Sequence, residues 1–284
     1  MPRRAPRAVA AEPAYPQCVR QLTARKDTRF RHFFLCDGCS DRWSADAFDG
    51  NAPLHVAERV TGYCLLCNQL RDDIRLRTWF LCDICDRVAR SIGRNHVAEK
   101  GIMEFWAREV RPRFPGLRLV QNDPSELRPL RPGGKAGVAP VDFHVMDGTE
   151  RPAFVIENKT GRSSIAGMSQ FQLDVSDCDC ILNEMRSLNV PAYVIHAQVL
   201  ELWDKPPTMG FRLAGLWWSD VYAMAENFTG IKSRRDEMRG AAYFRRAAFK
   251  PIETFTDGLM GHKGFALVER FNREGVPAMY RRPE

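Results

Sequence analysis

Several things this chain lacks narrow the field. It has no run of about 18 uninterrupted apolar residues, so no transmembrane helix is expected. Met1 to Pro16 has no apolar core. Its Arg, Ala and Pro content reads as a loose basic tail over residues 1–14, not a secretory leader, and points to an intracellular, cytoplasmic protein. Lysine is scarce, with 8 Lys among 42 basic residues and the rest Arg. Histidine is scarcer, at 6, and His144, His196 and His262 show no ligand spacing, so they read as structural.

What is present suits a globular protein. The 284 residues leave room for one or two domains. The chain is 44% hydrophobic and 27% charged, which excludes wholesale disorder. The net charge of +7 is uneven, since residues 1–96 carry 16 basic against 11 acidic groups. Arginine suits bidentate contact with phosphate and guanine. A GC-rich genome would produce the same bias.

Seven of the 9 cysteines precede residue 86, and six of them form C-x-x-C pairs: Cys36/Cys39, Cys64/Cys67 and Cys82/Cys85. That spacing lets two thiolates grip one metal from a tight turn. A shift of 46 positions superposes Phe34-Leu35-Cys36-Asp37-Gly38-Cys39 on Phe80-Leu81-Cys82-Asp83-Ile84-Cys85, and Cys18 on Cys64. Residues 15–45 and 61–90 therefore read as two copies of a zinc-ribbon-like module. Within the second copy, Cys64, Cys67, Cys82 and Cys85 make a four-thiolate set. Within the first, Cys18, Cys36 and Cys39 lack a fourth ligand, because Gln21 stands where Cys67 would; His32 and His55 are the candidates. Four thiolates leave no open position for water, so structural zinc is expected. Disulfides and an iron–sulfur cluster are the alternatives. The Arg-rich hairpins, including Arg71, Arg75 and Arg77, suit phosphates or a solvated face equally.

From about Ser91 the pattern changes. Arg94 to Arg113 has helical spacing of Val97, Ile102, Phe105, Trp106 and Val110, with Glu99 inside the apolar arc. A buried-facing carboxylate is costly unless it is paired or binds metal. Leu117 to Gln121 reads as a short strand and Asn122 to Ala139 as a loop. Ala139 to Met146 and Ala153 to Lys159 read as strands joined by an Asp147-Gly148 turn. Alternation puts Val155, Glu157 and Lys159 on one face, and a hairpin would bring Asp142 to Glu157. Val190 to Trp203 and Gly210 to Trp218 read as further strands. Ser233 to Lys250 reads as a basic helix, and Cys178 and Cys180 as core residues.

Pro140-Val141-Asp142, a gap of 14 residues and then Glu157-Asn158-Lys159 resembles the signature of the PD-(D/E)XK nuclease superfamily. The resemblance covers roughly residues 91–205, and Val141 intervenes where the family's proline usually precedes the Asp. It implies an α/β fold, a restriction-endonuclease-like mixed sheet flanked by helices, over 91–284, preceded by a small zinc-ribbon-like domain over 15–90. It implies that Asp142 and Glu157 hold Mg²⁺, that Lys159 positions or activates water, that Glu99 completes the site, and that Gln170 supplies a polar group from the helix after the second strand. The expected activity is Mg²⁺-dependent DNA hydrolysis, with the zinc modules contacting DNA and a homodimer as a common arrangement. A site-specific restriction enzyme and a repair, recombination or mobile-element nuclease both fit. So does a zinc-ribbon DNA- or protein-binding factor with a catalytically silent second domain.

Overall fold

The computed structural model describes residues 28–48, 52–67, 69–122, 141–204, 208–234 and 237–260. The tail over 1–14, Cys18, Gln21 and His262 lie outside them, as do the side chains of Cys82 and Cys85. The architecture is mixed α/β in two compact units. One comprises the chain up to Gly93 with Leu202–Phe211. The other comprises Arg94–Glu201 with the chain from Arg212 onward.

In the first unit, β1 (Thr28–Leu35) leads into α1 (Asp37–Phe48). Two short strands follow, β2 (His55–Val56) and β3 (Val60–Tyr63), then the long β4 (Leu70–Cys82) and the start of α2 (Asp83–Phe105). β1 and β4 pair antiparallel over eight residues, from Thr28↔Cys82 to Leu35↔Arg75. β2 and β3 each pair antiparallel with β4. Alternation buries Phe33 and Leu35 on β1, and Trp79 on β4 packs edge-on against Phe33 with ring centroids 5.8 Å apart. His32 and Thr78, equivalent in the 46-residue repeat, stand opposite one another in this ladder. The two copies therefore meet about a local two-fold axis through that pair.

The second unit takes α2 from Arg94 and extends it by one π-helical turn, Trp106–Val110. It continues through β5 (Arg118–Gln121), β6 (Phe143–Met146), β7 (Pro152–Gly161), β8 (Gln170–Asp174), α3 (Val175–Leu188), β9 (Ala192–Asp204), β10 (Thr208–Asp220), α4 (Val221–Glu226), β11 (Phe228–Arg234), β12 (Glu237–Arg245), β13 (Lys250–Pro251) and α5 (Phe255–Met260). The outer ends of β9 and β10 belong to the first unit, where β10 begins parallel to β1 at His32↔Thr208. Within the second unit the order is β10-β9-β7-β6-β5, with a separate three-stranded sheet ordered β11-β12-β8. β5, β6 and β7 run antiparallel, and β7 runs parallel to β9 through the β8–α3 connection.

One face of the larger sheet packs Phe143, Val145, Phe154 and Ile156 against Ile102, Phe105 and Trp106 of the α2 region and Phe255 of α5. The other packs Val155 and Val194 against Cys178, Ile181 and Met185 of α3 and Phe171 and Phe244 of the small sheet. Cys178 and Cys180 are thus core residues. α3 ends at Asn189, whose left-handed backbone (φ 55°) makes the helix C-cap.

Residues 233–234 and 237–250 do not form the expected helix. They complete β11, form β12 and end in a 3-10 turn, Arg246–Ala248. Gly240 holds φ +74°, and a Cβ there would lie 2.9 Å from the Lys232 carbonyl, so this position is a strand irregularity that only glycine fits. Ala241, Ala242 and Phe244 are then buried by pairing with β8, a tertiary gain that overrides the helical composition.

Candidate metal centres

The carboxylate site is built by the β6–β7 hairpin. The turn is tied by Asp147, whose Oδ1 accepts hydrogen bonds from the Thr149 N–H and Oγ1–H, both at 2.7 Å. Register then does the positioning. One step beyond the Phe143↔Ile156 pair, Asp142 stands opposite Glu157. The Asn158 N–H donates to Asp142 Oδ2 at 2.7 Å and fixes that carboxylate. Lys159, two residues after Glu157 and on its face, places Nζ 2.6 Å from Glu157 Oε1.

The electrostatics are those of anionic groups forced together out of water. Burial pushes the Asp142 carboxyl up to about 6; Glu99 and Asp177 add to this, against the Asn158 N–H and Lys159. Burial and then Asp142 push Glu157 up to about 7. Burial works against the Lys159 ammonium, but Glu157 and Asp177 outweigh it and hold its pKa above the ordinary value. Glu99 is oriented by β5, where the Gln121 amide donates to Glu99 Oε2 at 2.5 Å.

A carboxyl whose folded pKa lies above its unfolded value is without penalty below about pH 4.5 and costs stability once it ionises, here fully above about pH 7. Glu157→Gln is therefore expected to raise the stability of the metal-free protein, relative to wild type, by ~1–3 kcal/mol more at pH 8 than at pH 4.5. Thermal melts of both proteins at the two pH values read this directly. An equal difference at both would contradict it.

Hard oxygen donors with one ammonium nearby fit a divalent cation. Asp142 and Glu157 would hold it, with Glu99 at the margin. Two residues that local sequence reading missed complete the surroundings. Gln121 orients Glu99, and Asp177, in the first turn of α3, places Oδ2 2.9 Å from Lys159 Nζ. Asp177 is one of three aspartates among Asp174, Asp177 and Asp179, and nothing local marks it; only the packing of α3 over the sheet does. A cavity of about 320 Å³ opens beside Lys159 and Asp177, walled in part by Phe171, Gln172 and His196. His196 pairs across from Lys159, and its Nε2 lies 3.0 Å from the Ser163 carbonyl oxygen. Burial lowers its pKa, so it is a neutral wall residue.

Gln170 is not on the helix where it was expected. It opens β8, and its amide donates to Thr229 Oγ1 at 2.9 Å, because Phe171 and Leu173 alternate into the core as strand residues. His144 bonds Glu184 at 2.7 Å.

The cysteines assemble differently from the pairing within copies. Cys36, Cys39, Cys64 and Cys67 bring their Sγ atoms within 4.8 Å of one another. Among the described residues this is the one cluster of three or more metal-ligand side chains at that spacing. Cys36 follows β1 and Cys64 follows β3. The Leu65 N–H donates to the Phe34 carbonyl at 2.9 Å, and the Cys36 N–H to Cys64 Sγ at 3.4 Å. A pairing of Cys64 with Cys82 is excluded by β4, whose 13 residues separate its ends by roughly 40 Å at the usual strand rise. The first copy's knuckle is instead completed by the second copy's N-terminal pair. His32 does not serve as fourth ligand, since its Nδ1 lies 2.8 Å from Thr78 Oγ1 in mid-ladder, and His55 also sits opposite Thr78. The Cys39 thiol holds Cys64 low, and burial opposes this less strongly; Cys64 in turn holds Cys39 high. Four converging sulfurs, one already biased to thiolate, suit a tetrahedral Zn²⁺, whose ligand sulfurs lie ~3.8 Å apart.

No family model matches the chain, and no curated protein matches it. Among solved structures, the chain is similar to the Holliday junction resolvase Hjc of Archaeoglobus fulgidus, with a TM-score of 0.30 and 10% identity. That overlap covers 56% of this chain and 97% of the resolvase.

Proposed function

We propose that this protein is a divalent-metal-dependent nuclease acting on DNA, with a restriction-endonuclease-like catalytic unit and a structural zinc in the first unit. The observation that carries this reading is the facing of Asp142 and Glu157 across the β6–β7 hairpin, with Lys159 on the Glu157 face and within 2.6 Å of it. When bound, the metal would supply Lewis acidity and an activated water. The protein's own groups do the rest. Asp142 and Glu157 would hold the cation, and the Asn158 N–H fixes the Asp142 carboxylate. The Lys159 ammonium orients the attacking water or offsets charge that develops on the phosphate.

The same Lys159 ion pairs favour a second reading, in which the trio is a salt bridge inside a catalytically silent domain of a DNA- or protein-binding factor. The wild-type protein decides between them on supercoiled plasmid, linear duplex, branched and single-stranded DNA, with Mg²⁺ or with EDTA. The nuclease reading expects cutting with Mg²⁺ alone. Discrete products on linear duplex would make it site-specific, and cutting confined to branched DNA would make it a recombination or repair nuclease. No cutting of any substrate would favour the silent domain.

A further inference from the structure

We propose that Asp177 is a positioning residue that retains Lys159 in the cleft once a divalent cation occupies Asp142 and Glu157. The proposal rests on the nuclease reading above. Lys159 Nζ bridges two carboxylates, Glu157 Oε1 at 2.6 Å and Asp177 Oδ2 at 2.9 Å. Only Glu157 belongs to the hairpin that faces Asp142. A cation on Glu157 takes up oxygen lone pairs that the ammonium now uses, and it repels a positive charge held that close. The ammonium must then lean on something else, or leave.

Asp177 meets that need from a separate element. It lies in the first turn of α3, where a negative side chain suits the helix end, and that helix is anchored by buried Cys178, Ile181 and Met185. Its carboxylate lines the cavity beside Lys159. Its charge is also felt at both Asp142 and Glu157. Asp177 thus shares the lysine while the metal is absent and keeps it when the metal binds.

Without Asp177 the ammonium rests on Glu157 alone and competes with the metal. The test is a double-mutant cycle on Mn²⁺ affinity, measured by calorimetry on the full chain without DNA. Lys159→Met is expected to tighten Mn²⁺ binding several-fold. Asp177→Asn is expected to weaken it about 3–10-fold in the wild-type background and less than about twofold in the Lys159→Met background. In single-turnover cleavage at saturating Mn²⁺, Asp177→Asn is expected to be ~10–100-fold slower, with DNA affinity in Ca²⁺ unchanged, and Asp177→Glu to recover most of the rate.

An equal loss of Mn²⁺ affinity from Asp177→Asn in both backgrounds would show a plain charge effect and overturn the proposal. So would an Asp177→Asn enzyme as fast as wild type while Lys159→Ala is inactive; that outcome leaves the nuclease reading standing. A wild type that neither binds Mn²⁺ nor cuts DNA takes down both.

Discussion

Lys159→Ala is expected to cut DNA at least ~10³-fold more slowly than wild type at saturating Mg²⁺, with DNA affinity in Ca²⁺ changed by less than about threefold. The ammonium lies on the Glu157 face of the hairpin and beside the cavity, where charge would develop on a bound phosphate. Its removal costs the chemical step and spares the contacts that bind the duplex. Asp142→Asn is expected to lose as much while keeping the hairpin intact, because Asn retains an acceptor for the Asn158 N–H. Single-turnover rates and equilibrium binding check both variants. A variant that loses rate and DNA affinity together would place Lys159 in duplex binding instead.

The second large effect concerns the cysteines. Cys36→Ser and Cys64→Ser are each expected to release the same zinc equivalent and to unfold the first unit. Structural zinc contributes on the order of 10 kcal/mol to a small module, more than such a module's core supplies. Cys82→Ser is expected to leave that equivalent bound, since Cys82 pairs with Thr28 at the opposite end of the β1–β4 ladder from Cys36. Metal content per chain and amide exchange over residues 28–93 measure both effects. Loss of the same equivalent in Cys64→Ser and Cys82→Ser would contradict the cluster and restore the pairing within each copy.

These two sites differ in how far the sequence discloses them. The Asp142 and Glu157-x-Lys159 arrangement depends on strand alternation and one short turn, both local, so its register can be read from the sequence. The strands at 118–121, 192–204 and 208–220 are legible for the same reason. The cysteine set is not. The second copy reads as self-sufficient and the first as one ligand short, yet antiparallel pairing of β1 with β4 sends Cys36 and its equivalent Cys82 to opposite ends, and the cluster draws one pair from each copy. Gln170 lines the cavity beside Lys159 from a strand where a helix is expected, because Phe171 and Leu173 show their alternation only once the partner β12 is known. Asp177 and Gln121 reach the site only through the packing of α3 and β5, which no local spacing reports. Residues 233–250 read as a basic helix because their arginines and alanines favour one, whereas Gly240 and the burial of Ala241, Ala242 and Phe244 belong to a strand pairing visible only in the fold.

Asp142 and Glu157 together are expected to hold a divalent cation. Crystals of the protein soaked in Mn²⁺ and measured at the manganese edge test it without recourse to activity. The predicted result is one anomalous peak about 2.1 Å from an oxygen of each carboxylate, with Lys159 still on Asp177. A map with no peak there, and with Lys159 still bridging Glu157 and Asp177 in excess Mn²⁺, would show an internal salt bridge and contradict the claim.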